Sequence, residues 1–163
     1  MKRSTIVTGL SAALLAHPLA AFAVESGRVP VNKGDYPPVS DAQWRKRLSP
    51  RAYEVLREGR TEPAFSSALN HEERAGTYAC AGCARHVFSS TAKYDAHTGY
   101  PSFTSALPKA VVATAPAHGK RYASVHCGRC DSHLGRLYRD GPKPAGLRYS
   151  MNGLALAFLP NAA

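Results

Sequence analysis

The segment ASVHCGRCDSHLGRLY, residues 123–138, sets Cys127-Gly-Arg-Cys130 between two short runs of strand-like texture. Cysteines two residues apart in such a turn form a knuckle that presents both sulfurs to one side. The device recurs in GTYACAGCARHVFSS, residues 76–90, as Cys80-Ala-Gly-Cys83. Two knuckles supply the four thiolates of a closed tetrahedral site, and zinc is the ion that such a donor set selects. A redox pair or two disulfides are the competing uses of the same four cysteines. Residues 84–126, between the knuckles, exceed the gap of a simple zinc ribbon. The metal is therefore expected to tie together two hairpins of a larger β-domain.

Working outward, KAVVATA (109–115), KRYASVHC (120–127), SHLGRLY (132–138) and LALAFLP (154–160) are short runs with β-branched or aromatic residues, separated by Gly, Pro, Asp and Ser. That spacing predicts a mainly β fold, a compact, mostly antiparallel sheet or barrel-like domain with helices packed at one end. On the N-terminal side, DAQWRKRLSPRAYEVLREG (41–59) predicts two short helices. Ser40 or Asp41 caps the first, Ser49-Pro50 breaks and restarts the chain, and Gly59 stops the second. Trp44, Leu48, Tyr53 and Leu56 form their inward faces. Residues 24–40 carry several prolines and no apolar periodicity and are expected to be an extended leader without a site. The domain is placed at residues 41–161.

Residues 1–23 have Lys2 and Arg3 ahead of an apolar run and end at Ala21-Phe22-Ala23. That pattern is a secretory signal, with cleavage expected after Ala23 and a periplasmic or secreted product. The apolar run, broken by Gly9, His17 and Pro18, is too short for a bilayer span, so stable membrane insertion is not expected. Cleavage leaves about 140 residues, enough for one domain with a real core. The whole chain has a formal net charge of +10. Its basic residues are dispersed, which describes a solvated basic surface and not a nucleic-acid site. A monomer is expected.

Six stretches, TEPAF (61–65), CAGC (80–83), KYDAHTGYPSF (93–103), CGRC (127–130), HLGRLYRDGP (133–142) and LRYSMNGLALAF (147–158), stand in the order and spacing of the methionine-R-sulfoxide reductase B family, which this chain resembles from Trp44 to Pro160. The resemblance implies two antiparallel sheets, a structural zinc on Cys80, Cys83, Cys127 and Cys130, and thiol-dependent reduction of methionine (R)-sulfoxide, in proteins or free, with a thioredoxin-like donor. The family's pocket tryptophan falls on Tyr100, with Phe103 and His97 in the same segment. Its two histidines fall on His133, which matches, and on Arg136, which does not. Arg148 and Asn152 match the residues beside the nucleophile. The nucleophilic cysteine falls on Ser150.

The family reaction has a thiolate take the sulfoxide oxygen and end as a sulfenic acid, which other thiols reduce. A serine hydroxyl is a poor nucleophile without a base or metal. Accepting the oxygen would leave it a hydroperoxide. The other cysteines are committed to the knuckles, and Arg136 cannot act as an acid near neutral pH. Impaired or absent catalysis is therefore expected. The alternative function is a non-catalytic, zinc-stabilised module that binds methionine sulfoxide or a partner protein. A hydrolase is disfavoured, since RYSMN is not a G-x-S-x-G elbow.

Overall fold

In a computed structural model the described residues are 36–162; the expected signal at 1–23 and most of the leader lie outside them. Two helices open the domain, α1 at Asp41–Arg47 and α2 at Pro50–Glu58. Their ends follow from local chemistry. Ser40 caps α1 in a reciprocal capping box with Gln43, Ser49 caps α2 with Pro50 in its first turn, and Gly59 closes α2 at φ 71°. Trp44, Tyr53 and Leu56 are buried as expected and Leu48 partly so, with Val55 buried beside them.

Nine strands follow: β1 Gly76–Cys80, β2 His86–Ser89, β3 Lys93–Tyr94, β4 Ser102–Phe103, β5 Val111–Ala113, β6 Ala123–Cys127, β7 His133–Tyr138, β8 Arg148–Met151 and β9 Leu156–Pro160. They form two antiparallel sheets, β2-β1-β9 and β3-β4-β8-β7-β6-β5, which do not close into a barrel. Aromatic side chains join the sheets. Phe103 of β4 stacks on Phe88 of β2 at 4.4 Å and meets the edge of Tyr78 of β1 at 4.9 Å, and all three are fully buried. Burying each contributes about 1.5–3 kcal/mol, with roughly 0.5–1.5 more per aromatic pair.

One irregularity decides what the large sheet shows to its other face. Val125 pairs with Gly135, but the next residue, His126, pairs with His133, so Leu134 is an extra residue on β7. Residues three apart on a regular strand point to opposite faces. The bulge cancels that offset and puts His133 and Arg136 on one face. Arg136 pairs with Ser150, and Ser150 with Ser102 on its other side. His133, Arg136 and Ser150 thus share a face turned away from Phe103, Val125 and Met151.

Among the described residues no helix is long and apolar enough to cross a membrane.

Candidate functional site

Two centres can be built from these elements. The first is the pair of knuckles, which share one backbone pattern. Cys80 N donates to Arg85 O and Ala84 N to Cys80 O; Cys127 N donates to Ser132 O and Asp131 N to Cys127 O. Ala84 and Asp131 take the left-handed turn, at φ 58° and 59°. The four sulfurs lie within 4.8 Å of one another, with Cys80 and Cys130 3.8 Å apart and Cys83 and Cys127 3.5 Å apart. A tetrahedron with metal–sulfur bonds of about 2.3 Å has sulfur–sulfur edges of about 3.8 Å. The donor set therefore fits a metal ion that takes four thiolates, and all four cysteines are free.

The thiols do not ionise alike. Hydrogen bonding with Cys127 holds Cys80 above the usual thiol range, and contact with Cys130 does the same to Cys127. Cys83 and Cys130 are lowered, chiefly through their hydrogen bonds with Cys127. Guanidiniums surround the cluster: Arg57 donates to Cys130 O at 3.4 Å and Arg129 to Cys83 O at 3.5 Å. They partly offset the formal charge of about −2 that four thiolates and a divalent ion would carry.

The expected leader contributes here. Tyr36 stacks on Trp44 at 6.3 Å, and its hydroxyl donates to Gly82 O inside the first knuckle at 3.3 Å. Residues 36–39 line a depression whose other walls include Trp44, Arg57, Arg129 and Cys130. The end of the leader, residues 36–39, is thus packed against the cluster.

The second centre is a small cleft, about 30 Å³, lined by Thr61, Tyr100, Gly135, Arg136, Tyr138, Ser150 and Asn152. Ser150 is half-buried in its lining. Arg136 lies over the Tyr122 ring at 4.5 Å and donates from Nη2 to Thr61 Oγ1 at 3.1 Å. Tyr100 donates its hydroxyl to Glu62 O at 3.1 Å, away from the cleft, so its ring forms a wall. Asn152 is buried and heavily engaged: its Oδ1 accepts from Glu62 N and its Nδ2 donates to Leu134 O. It fixes the cleft more than it fills it.

The remaining sequence-predicted residues lie around this cleft and not in its walls. His133 is buried on the same face, its ring against His126 at 5.4 Å. Burial, then the nearby His126 and Arg136, push its imidazole down to about 4. Arg148 lies over Tyr138 at 4.2 Å and is held in a double hydrogen bond by Asp140. Phe103 is in the aromatic core, on the opposite side of β4 from the cleft. His97 is exposed at φ 54°, bound to Asp95, in a neighbouring depression that shares Tyr100.

Sequence reasoning missed Glu62. Its carboxylate is buried, and its two oxygens accept from Gly153 N and, at 3.0 Å, from Leu154 N. TEPAF marked the place, but nothing local in it says that the carboxylate will be buried under the turn at Gly153–Ala155.

A mainly β domain with two open antiparallel sheets, a four-cysteine cluster and this cleft defines the class, and comparison with known proteins defines the family. The SelR domain model matches residues 48–160. Peptide methionine sulfoxide reductase MsrB of Thiobacillus denitrificans is 46% identical over 125 residues, 76% of this chain and 95% of that protein. Proteins of the same name from Bradyrhizobium diazoefficiens and Leptospira interrogans are 46% and 41% identical, over 74% and 73% of this chain and 88% and 92% of theirs. The chain belongs to the SelR domain family, the methionine sulfoxide reductases of the MsrB type.

Proposed function

We propose that this chain is an exported, zinc-stabilised member of the family that binds methionine (R)-sulfoxide without reducing it. The observation that carries the reading is the place of Ser150: it lines the cleft, while all four cysteines of the chain stand together in the knuckle cluster and none lines the cleft. Reduction requires a thiol that can end as a sulfenic acid. Serine has no such product. A metal-bound thiolate has its lone pair and position committed.

The neighbouring residues support the same reading. Where the family resemblance implies a second histidine, the cleft has Arg136, a cation that keeps its protons. Where it implies a tryptophan, Tyr100 offers a smaller wall whose hydroxyl is turned back onto Glu62 O. His133 is kept neutral near pH 7 by burial, so it is a poor source of the proton a departing oxygen needs. The wall of tyrosine rings can still receive a sulfoxide methyl. The metal, zinc in this proposal, would be held by Cys80, Cys83, Cys127 and Cys130 and would supply folding free energy, with no part in the chemistry of the cleft.

The test is a reduction assay on methionine-R-sulfoxide, free and in a peptide, with dithiothreitol or a thioredoxin-like donor. The wild-type chain is expected to be inert. Ser150→Cys should give weak turnover, and adding Arg136→His and Tyr100→Trp should raise it by more than the product of the single gains. Wild-type turnover that survives Ser150→Ala would overturn the proposal. Export is tested separately by sequencing the N-terminus of the secreted protein, where residue 24 is expected to be first.

A further inference from the structure

The Ser150 cleft carries a positive charge that nothing in its walls neutralises. Its lining residues include one cation, Arg136, and no carboxylate. The two acidic groups close by are already spent: Asp140 holds Arg148 through two hydrogen bonds of 2.8 Å, and Glu62 is turned onto the amides of Gly153 and Leu154. Among the described residues Arg136 has no ion pair. One of its five N–H donors goes to Thr61 Oγ1, and the Tyr122 ring under the guanidinium keeps it in place.

We propose that this cleft is a binding site for a small monoanion, an oxygen-terminated head group of the sulfonate, sulfinate or carboxylate kind on a short alkyl stem. The proposal rests on the reading that Ser150 does not turn over a sulfoxide. A guanidinium edge pairs with two oxygens of one head group, the geometry in which arginine surpasses a point charge. Ser150, paired with Arg136 across β7 and β8, brings its hydroxyl to the same side and can donate to a further oxygen. The ring of Tyr100 is left for the stem, since Arg148 lies over that of Tyr138. A cleft of about 30 Å³ suits a small head group. A single cation matches a monoanion better than a phosphate dianion. Replacing a titratable side chain by Arg136 would thus change what the cleft selects, from a neutral dipolar S–O group toward a full negative charge.

The experiment titrates the full-length mature protein with sodium methanesulfonate, sodium acetate and free methionine sulfoxide, followed by calorimetry and by NMR shifts of the cleft residues. Methanesulfonate is expected to bind, and to bind more weakly as salt rises from about 20 to about 200 mM. Arg136→Gln should weaken it at least about tenfold, Arg136→Lys less, and Ser150→Ala about threefold. Stronger binding of methanesulfonate than of acetate assigns the head group to sulfur oxyanions; equal binding assigns it to carboxylates as well. Methanesulfonate that fails to bind, or binds Arg136→Gln as well as wild type, overturns the proposal. Circular dichroism melts of both Arg136 variants confirm that the fold is kept. The reduction assay separates the two proposals: turnover of methionine sulfoxide by a protein that also binds methanesulfonate through Arg136 would sink the non-reducing reading and leave the anion site standing.

Discussion

Glu62 and Asn152, 90 residues apart in sequence, are directly joined: Glu62 N donates to Asn152 Oδ1 at 3.1 Å. The carboxylate of the same Glu62 accepts from the amides of the two residues after Asn152, and its carbonyl accepts from Tyr100. One buried residue thus ties together a wall of the cleft, the end of β8 and the turn at Gly153–Ala155.

Glu62→Gln is expected to lower unfolding free energy by about 2–3 kcal/mol, because one acceptor oxygen becomes an NH₂ group facing a backbone N–H that it cannot satisfy. Glu62→Ala, which abandons both amides, should cost more. Chemical denaturation measures both, and a loss below about 0.5 kcal/mol for Glu62→Gln would show that the buried carboxylate is not a structural tie.

Cys127→Ser removes one of four ligands from a fully buried position. Native mass spectrometry should find one zinc per wild-type chain and a clear loss in the variant, with destabilisation on the order of several kcal/mol. Two disulfides and no metal in the wild type would refute the assignment of zinc.

Tyr36→Ala should leave the sheets intact and speed the transfer of metal to a chromophoric chelator several-fold, since Tyr36 spans from Trp44 to Gly82 over the knuckles. The experiment reads metal release and far-ultraviolet circular dichroism together. Unchanged release would mean that the contact is merely packing.

His133 gives a pH signature. Its folded imidazole titrates at about 4, against 6.5 when solvated, so between these values the unfolded chain binds a proton that the folded one refuses. Stability is therefore fully present above about pH 6.5 and is lost as pH falls toward 4, on the order of 2–3 kcal/mol from this group. Because acid also strips metal from thiolates, the test is the difference between wild type and His133→Gln. A difference that does not change between pH 7 and pH 4.5 would contradict the assigned burial effect.

Much of this architecture is written locally. The knuckles follow from cysteine spacing, the helix ends from Ser40, Ser49-Pro50 and Gly59, and six of the nine strands, β1, β2, β5, β6, β7 and β9, from short runs in the right texture. β3 and β4 were hidden because two residues show no periodicity, and they exist only through pairing with a neighbour. β8 was hidden because Arg148 and Ser150 lie on the cleft side of the sheet while Tyr149 and Met151 face the core, in a run too short to stand out. Most of the candidate site was legible through the family resemblance, but the partition among its residues was not. That Phe103 belongs to the core, that Asn152 is spent on backbone partners and that Glu62 is buried are all consequences of contacts between distant segments.

The extra residue at Leu134 has a consequence for how such a chain can change. Because the bulge, and not any side chain of the cleft, brings positions 133 and 136 onto the face of Ser150, the scaffold keeps its shape whichever groups occupy those positions. Chemistry can be exchanged one side chain at a time on an unaltered main chain, while the four-cysteine cluster and the Phe88–Phe103 stack lie elsewhere. Loss of one reaction and gain of another ligand then become neighbouring steps in sequence space, with no unfolded intermediate between them.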